Sequence, residues 1–535
     1  MNRTQNATRN MVFGVILKLY QILLPFLMRT AMIYLMGVEY LGLNSLFTSV
    51  LQVLNLAELG VGSAMVYSMY KPIAENDKLT ICALLRLYKK YYFFVGLIIA
   101  CVGALLTPLI PKLISGGIPE QLNVYILYLI NLAATVMTYW MFAYKNSLLQ
   151  AYQRSDIASK ITIITTSLQY AIQLVVLWVF HNYYLYIIVM LFTQAMANVI
   201  TAMVASRLYS DMEPKGNLPD KMVKTINQRI KDLFTAKLGA TIVNSADTIV
   251  ISAFLGLTIL AMYQNYYFIM SSVMGILTVV FSSCLAGVGN SMVMESAEKN
   301  YNDFRVLTFL TNWIVTVCMC CFATIYQPFI ELWVGKDYIF DQIVVALFCV
   351  YFYLVTMQQV NGMYKDAAGV WHQDRFRPLI AAMVNMFFNI ALVQYWGIYA
   401  ILLSTIISYV FVSMPWMISN VFKYVFHRSL KQFVKEFVIY FFAACIIAFL
   451  CWILCRTTRG LSLLGQVIIN LILSVALSNI VMFAIYRENS YYNQMVELVD
   501  KITKYKITKV LKMIKRLIHF RESAFWVCVE YGKPA

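Results

Sequence analysis

The hydrophobic positions of this chain form long apolar stretches separated by short polar segments. Stretches of about 18 residues or more recur along nearly all of the 535 residues, and each is long enough to cross a bilayer as a helix. A transmembrane barrel would instead show segments of about ten residues with alternating polarity. The pattern predicts an all-α integral membrane protein with about fourteen transmembrane helices, the eighth of which is long enough to project beyond the membrane. The predicted spans are 11–36, 40–66, 91–111, 122–144, 161–180, 185–206, 236–256, 259–293, 304–330, 339–364, 377–396, 398–421, 433–455 and 461–486.

Composition and charge support a membrane protein and argue against a nucleic-acid partner. The chain is 61% hydrophobic and 13% charged, whereas soluble proteins carry about 25% charged residues. The net charge of +17 is concentrated in the connections that lie inside if the N-terminus is cytoplasmic. This asymmetry predicts that both termini are cytoplasmic. The predicted outer connections hold few basic residues, namely Lys112, Lys336, Arg456 and Arg459.

The spans are expected to form two halves. A polar segment with Pro214, Gly216 and Pro219 separates the first six spans from the rest. Each half begins similarly, because Arg29-Thr30 precedes Gly37 as Asp247-Thr248 precedes Gly256. Since six helices separate the matching spans, the halves would be parallel repeats with a cleft between them. The predicted units are an N-lobe (1–206), a cytoplasmic linker (207–235), a C-lobe (236–421), two further helices (422–486) and a basic cytoplasmic tail (487–535).

The tail favours contact with anionic lipid. Its basic residues, from Lys501 to Arg516, alternate with apolar positions at approximately helical spacing. Such a segment is typical of an amphipathic helix on the anionic cytoplasmic leaflet. A solvated basic tail is the alternative.

Two cations inside the first apolar span are the main candidates for a binding site. Lys18 and Arg29 are 11 residues apart, about three helical turns, and therefore lie on one stripe of the helix. Arg29 is well inside the hydrocarbon, where a cation is costly unless it faces a partner or a hydrated cavity. The stripe indicates a cavity that receives an anionic group. Lys18 is closer to the inner end and has an alternative role, in which its ammonium reaches the cytoplasmic head groups.

Two carboxylates within or beside the apolar spans add candidates of opposite charge. Asp247 lies at the position that the repeat pairs with Arg29. Three roles are open for it: a counter-ion to Arg29, a Na⁺ or H⁺ site that couples transport to an ion gradient, or a structural salt bridge. Glu58 is either a second cavity carboxylate or a cap at the helix junction before Gly60.

Uncharged polar side chains complete the predicted site. Gln52, Asn55, Gln173 and Asn389 belong to pairs at helical spacing and are candidates to contact sugar hydroxyls. Hydrogen bonds between helices are the other interpretation. The chain has no P-loop, no metal-ligand spacing and no loop large enough for a catalytic domain, so we predict neither an enzyme nor a cofactor beyond the coupling ion.

The first 75 residues carry a resemblance to a known family. Arg29-Thr30, Gly37-Val38-Glu39-Tyr40-Leu41-Gly42 and Leu56-Ala57-Glu58-Leu59-Gly60-Val61-Gly62, followed by Tyr70-Lys71-Pro72, resemble bacterial Wzx-type polysaccharide flippases. These belong to the superfamily that includes multidrug MATE exporters and the murein lipid flippase.

The resemblance implies two six-helix lobes in a V, with two additional C-terminal helices, in the bacterial cytoplasmic membrane. It implies that undecaprenyl-pyrophosphate-linked oligosaccharide moves to the outer leaflet by alternating access, for export of capsule, exopolysaccharide or cell-wall polysaccharide. A polysaccharide polymerase and other export components would be partners. In this scheme Lys18 and Arg29 would attract the pyrophosphate.

Two alternatives remain open, a multidrug exporter and a scaffold. An ion-coupled multidrug exporter would favour carboxylates over cations in its cavity. A membrane glycosyltransferase is not expected, because it would need a sizeable outer loop with acidic residues and the sequence has none. A non-transporting scaffold for cell-wall enzymes requires that Lys18 and Arg29 are dispensable.

Overall fold

A computed structural model describes residues 3–58, 60–119 and 122–502, and this part of the chain is built from helices. The predicted amphipathic tail lies mostly outside the described residues. The helices are α1 (Arg3–Leu35), α2 (Val38–Leu54), α3 (Val61–Ala74), α4 (Lys78–Leu106), α5 (Val124–Trp140), α6 (Ala143–Ala151), α7 (Ser155–Val175), α8 (Tyr183–Leu208), α9 (Asp220–Leu255), α10 (Leu257–Met294), α11 (Ala297–Val334), α12 (Gln342–Ala367), α13 (Arg377–Trp396), α14 (Ile398–Ser408), α15 (Met414–Val421), α16 (Lys431–Cys455), α17 (Leu463–Tyr486) and α18 (Ser490–Ile502).

The helices make this a multi-pass membrane protein. Within the described residues, 11 helical segments are long and apolar enough to cross a membrane, or 12 if α5 and α6, bent by 50°, are one span. The second predicted span is broken by a 3₁₀ turn at Asn55–Glu58, and the apolar part of α9 is short, Ser245–Leu255. The count of fourteen therefore stays a prediction. Helix α10 is continuous over 38 residues. At about 1.5 Å per residue it exceeds the hydrocarbon thickness of about 30 Å, as expected.

Two glycines form the tight junctions that the sequence repeat pairs. Gly37 lies between α1 and α2 with φ 118° and ψ 163°, and Gly256 lies between α9 and α10 with φ 92° and ψ 173°. Glycine adopts positive φ without the steric penalty of a Cβ. The equivalent conformations agree with the pairing of these two segments in the sequence.

Helix α2 and its continuation α3 join the first half of the chain to the second. At one end of α2, a methyl group on Gly42 would sit 2.2 Å from the Leu257 carbonyl oxygen. Beyond the 3₁₀ turn, a methyl group on Gly60 would sit 2.8 Å from the Ile230 carbonyl oxygen. Glycine thus permits close backbone approach at both ends of this interface.

Helix α1 contacts the second half differently. Its C-terminal end is held by Trp333 of α11, whose indole Nε1 donates to Thr30 Oγ1 at 2.7 Å and whose carbonyl accepts from the Tyr34 hydroxyl at 2.7 Å. Helix α1 also approaches α10, and does so at few positions. We call this narrow contact the α1–α10 seam.

The last helices pack against α11. Asn470 of α17 donates to the Thr324 carbonyl at 3.1 Å, and Arg305 forms an ion pair with Glu436 of α16. Helix α18 joins them through a hydrogen bond of 2.6 Å from Asn302 to Gln494. The segment predicted as the interlobe linker is divided, since a loop at 209–219 is followed directly by α9.

Candidate functional site

Arg29 lies in α1 with an uncommitted hydrogen-bond donor. Its guanidinium carbon is 4.9 Å from the centroid of the Phe268 ring of α10, a cation–π geometry. Tyr170 of α7 and Tyr186 of α8 are close enough to interact electrostatically with it. Its Nη1 is buried and has no hydrogen-bond partner, and none of the ion pairs among the described residues includes Arg29. The site therefore offers a desolvated cation to an incoming acceptor.

Lys18 approaches the same helix. Its Nζ would be 3.1 Å from a methyl group built on Gly275 of α10, so the ammonium rests where glycine leaves room for it. Phe268 and Gly275 are seven residues apart, about two turns, and lie on one face of α10. Lys18 and Arg29 thus share the α1–α10 seam, as their spacing predicts.

Helices α1 and α10 also carry apolar, exposed side chains on faces that are turned away from the seam. On α1, Leu19, Leu23 and Leu27 are 49%, 64% and 57% exposed, and on α10, Ile276 and Val280 are 47% and 54% exposed. In a bilayer these side chains would contact hydrocarbon. The two helices that form the seam therefore also present apolar faces suited to lipid.

Asp247 belongs to a separate polar cluster inside the second half. One carboxylate oxygen accepts from Asn389 Nδ2 at 2.7 Å, and the other accepts from Thr405 Oγ1 at 3.1 Å. Asn385 donates to Thr405 Oγ1 at 3.0 Å and accepts from Asn389 at 3.2 Å. The carboxylate is 6% exposed. In this conformation it is no counter-ion to Arg29, because its hydrogen bonds are made to α13 and α14.

The donor set of this cluster suits a hard cation. Carboxylate, amide and hydroxyl oxygens converge there, and these are the ligands that such ions prefer. Asn389 Oδ1 is buried without a hydrogen-bond partner. An oxygen ligand is therefore free in the cluster.

Glu58 is held within the first half, in the 3₁₀ turn between α2 and α3. Its two oxygens accept from the hydroxyls of Tyr92 and Tyr139, each at 2.9 Å. It borders a polar cavity of about 350 Å³ that Asn146 and Asn198 also line. Glu58 thus occupies the helix junction, away from the contacts of Lys18 and Arg29.

The uncharged candidates divide between the interface and the interiors of the two halves. Gln52 accepts from Ser245 of α9 at 3.4 Å, and Asn55 Oδ1 is buried without a partner. Gln173 and Asn389 are completely buried, and Gln173 donates to the Tyr186 carbonyl at 2.9 Å. Neither of these two can contact a sugar in this conformation, since their hydrogen bonds join neighbouring helices.

Sequence reasoning missed the aromatic surroundings of Arg29 and one part of the Asp247 cluster. The chain has 37 tyrosines and 33 phenylalanines, so nothing in the pattern distinguishes Tyr170, Tyr186 or Phe268. Asn385 is detectable from the sequence, because it lies one helical turn from Asn389 and the two share a helix face. No sequence pattern connects Thr405 with Asp247.

Comparison with known proteins identifies the fold through solved structures and gives no match in sequence. No protein-family profile matches the chain, and no curated protein matches it in sequence. Among solved structures, it is similar to the lipid II flippase MurJ in an inward closed conformation, with a TM-score of 0.68 and 13% identity over 89% of this chain and 99% of that one. An inward-facing multidrug resistance MATE transporter of the MOP superfamily gives 0.58 and 13% identity over 76% of this chain and 97% of that one.

A third likeness is to a mutant form of the Vibrio cholerae MATE transporter VcmN, with a TM-score of 0.53 and 15% identity over 78% of this chain and 95% of that one. The chain therefore has the MATE-like fold of the MOP superfamily, as the first residues implied. Its neighbours in structure are transporters and flippases. At these identities the likeness defines the fold, and function has to be argued from the site.

Proposed function

We propose that this protein is a lipid-linked oligosaccharide flippase of the bacterial cytoplasmic membrane. It moves a glycan repeat unit on undecaprenyl pyrophosphate from the inner to the outer leaflet by alternating access, for export of capsule, exopolysaccharide or cell-wall polysaccharide. The observation that carries the proposal is Arg29, a membrane-embedded guanidinium with an unpaired buried Nη1. A cation in that position is costly unless a ligand compensates it.

The chemistry of the seam suits a pyrophosphate. A guanidinium presents planar donors that match phosphate oxygens, and an ammonium is a compact point charge for the same group. Arg29 and Lys18 reach α10 about two turns apart, at Phe268 and Gly275. Two phosphoryl groups could therefore be held in succession as the lobes move. The fold of the lipid II flippase MurJ adds support at the level of architecture.

The exposed apolar faces of α1 and α10 would accommodate the prenyl tail. Leu23 and Val280 lie on faces of these helices that are turned away from the seam, so the tail would remain in lipid outside the helix pair while the head group occupies the seam. Exposing the tail to water would cost about 0.8 kcal/mol per CH₂, so a transporter of such a cargo needs a lateral opening.

The Asp247 cluster is our candidate coupling site. Asp247, Asn389 and Thr405 supply oxygen ligands suited to Na⁺, and protonation of Asp247 would serve an H⁺-coupled cycle. The cluster lies on α9, α13 and α14, so an ion bound there would act on the packing of the second half.

A multidrug exporter is the second candidate, favoured by the MATE likeness. It would need carboxylates facing a cationic drug. Asp247 and Glu58 are instead committed to hydrogen bonds inside their own halves, which favours the anionic cargo.

The test compares lipid-linked glycans in cells that lack the protein with those in cells carrying Arg29→Ala or the wild type. We expect completed oligosaccharide on its lipid to accumulate on the inner leaflet, and the wild-type chain, but not Arg29→Ala, to clear it. Lys90→Ala, a change of an exposed cation on α4, is the matched control.

Other outcomes would contradict this function. An unchanged lipid pool with greater sensitivity to cationic drugs would indicate the multidrug exporter. Normal export by a variant lacking both Lys18 and Arg29 would indicate a scaffold.

A further inference from the structure

A second polar cavity lies at the opposite flank of α11, away from the α1–α10 seam. It has a volume of about 520 Å³ and is formed where α11 ends, α12 begins and α16 connects to α17. This is the end of the bundle where Trp333 holds α1, the predicted outer side. Its charged lining residues are Glu331, Lys336, Arg456 and Arg459.

Three cations meet in this cavity although the outer connections are poor in basic residues. The sequence places Lys112, Lys336, Arg456 and Arg459 outside, and the last three line this one cavity. Basic residues are depleted from outer connections because they set topology. Three of four converging on one cavity therefore indicates a role other than topology.

The charged side chains of this cavity form no ion pairs in the described part of the chain, whereas its walls are held by hydrogen bonds. None of the ion pairs among the described residues includes the three cations or Glu331, and Arg456 makes a cation–π contact with Trp452 at 5.0 Å. The wall amide of Gln342 donates to the Ala323 carbonyl at 3.2 Å. Three cations against one carboxylate leave a net charge of +2, which favours an anion.

The surroundings point to an anion that is attached to a lipid. Trp452 and the arginines form the aromatic and basic lining typical of the head-group level of a membrane. Beside the cavity, Leu461 and Leu464 are 45% and 58% exposed, and their side chains would contact acyl chains. A soluble anion would need no such apolar border.

We propose that this cavity binds the phosphate-bearing head group of a lipid in the outer leaflet. Arg456, Arg459 and Lys336 would hold the phosphate, and Glu331 would accept from hydroxyls of the attached glycerol or sugar. Two sources share this chemistry, an anionic phospholipid and a polyprenyl diphosphate. The site does not depend on the proposed function, since its residues are separate from Lys18 and Arg29.

The test is native mass spectrometry of the full chain in detergent with phosphatidylglycerol, polyprenyl diphosphate or phosphatidylcholine. We expect Arg456→Gln/Arg459→Gln to lower affinity for the lipid that binds by about tenfold. Glu331→Gln should raise affinity, because it removes a negative charge. Lys112→Gln, which changes an outer cation beyond the cavity, is the matched control.

The outcomes distinguish a phospholipid from a polyprenyl diphosphate, and two of them would overturn the proposal. Charge-dependent binding of phosphatidylglycerol identifies a phospholipid site, and preferential binding of polyprenyl diphosphate identifies a site for a transported lipid. Equal binding of all three lipids, or an equal loss in Lys112→Gln, overturns the proposal. Arg459→Gln alone retains the Arg456–Trp452 contact, so a loss in this variant cannot be assigned to that stacking.

Discussion

Replacement of Arg29 by methionine separates a binding role from a structural one. Methionine retains the apolar stem and removes the guanidinium, so packing against Phe268 largely persists. A hydrogen bond to a charged group contributes about 1.5–3 kcal/mol. With about 1.4 kcal/mol for each tenfold change in affinity, loss of one such contact weakens binding of a lipid diphosphate by about 10- to 100-fold.

The same substitution should leave folding nearly unchanged. In the free protein, the buried Nη1 has no partner, which costs about 1–3 kcal/mol. The cation–π contact with Phe268 offsets about 1 kcal/mol of this cost. We therefore expect the unfolding temperature of Arg29→Met to equal or slightly exceed that of the wild type.

The assay measures both quantities on purified protein in nanodiscs. Binding of a fluorescent polyprenyl diphosphate gives the affinity, and thermal unfolding gives the stability. Arg29→Lys, which retains the charge without the planar donors, should lose less affinity than Arg29→Met. Wild-type affinity in Arg29→Met, or a fall of many degrees in its unfolding temperature, would refute the reasoning and make Arg29 a structural residue.

Three further predictions concern the second half and its contact with α2. Asp247→Asn should abolish the dependence of transport on Na⁺ or on pH, and an unchanged ion dependence would leave Asp247 a structural role. Gly42→Ala should move α2 from α10, because its methyl group would meet the Leu257 carbonyl oxygen, and distances between spin labels on the two helices would show this. Glu436→Gln removes the ion-pair partner of Arg305. Because Glu436 is partly exposed and Arg305 keeps its hydrogen bond to Tyr301, the free energy of unfolding should fall by about 1–3 kcal/mol, measured by denaturation, and no measurable loss would contradict a stabilising role for the pair.

The all-α membrane architecture was predictable because apolar length is a direct consequence of bilayer thickness. The broken second span was less so, since Asn55–Glu58 forms its 3₁₀ turn within a stretch that is apolar overall. The start of the seventh predicted span was harder to predict, because α9 begins in a basic segment and continues without interruption into apolar residues. Hydropathy detects where a helix is apolar and does not detect where the helix starts.

The candidate site was predictable where a single helix defines it. Helical spacing places Lys18 and Arg29 on one stripe, and both reach α10. The partner of Asp247 was not predictable in this way. Arg29 and Asp247 have opposite charges in matching spans, and their attraction made a pair plausible, but Asp247 is held by Asn389 and Thr405 instead. Which face of a helix meets which neighbour depends on tertiary packing.

The difference between two interfaces is what makes a lipid-linked cargo consistent with this fold. If α9 repeats α1 and α10 repeats α2, the α2–α9 interface and the α1–α10 seam are equivalents. Glycine brings the backbones of α2–α3 and α9 together at Gly60, whereas the α1–α10 seam is spanned by two cations. A tail of about fifty carbons would cost on the order of 40 kcal/mol to draw into water, so it must remain in lipid throughout the cycle. A protein with both interfaces closed could not meet that condition. The seam with few contacts is also the one that carries Lys18 and Arg29, so the proposed function would place head-group recognition and the opening for the tail at the same interface.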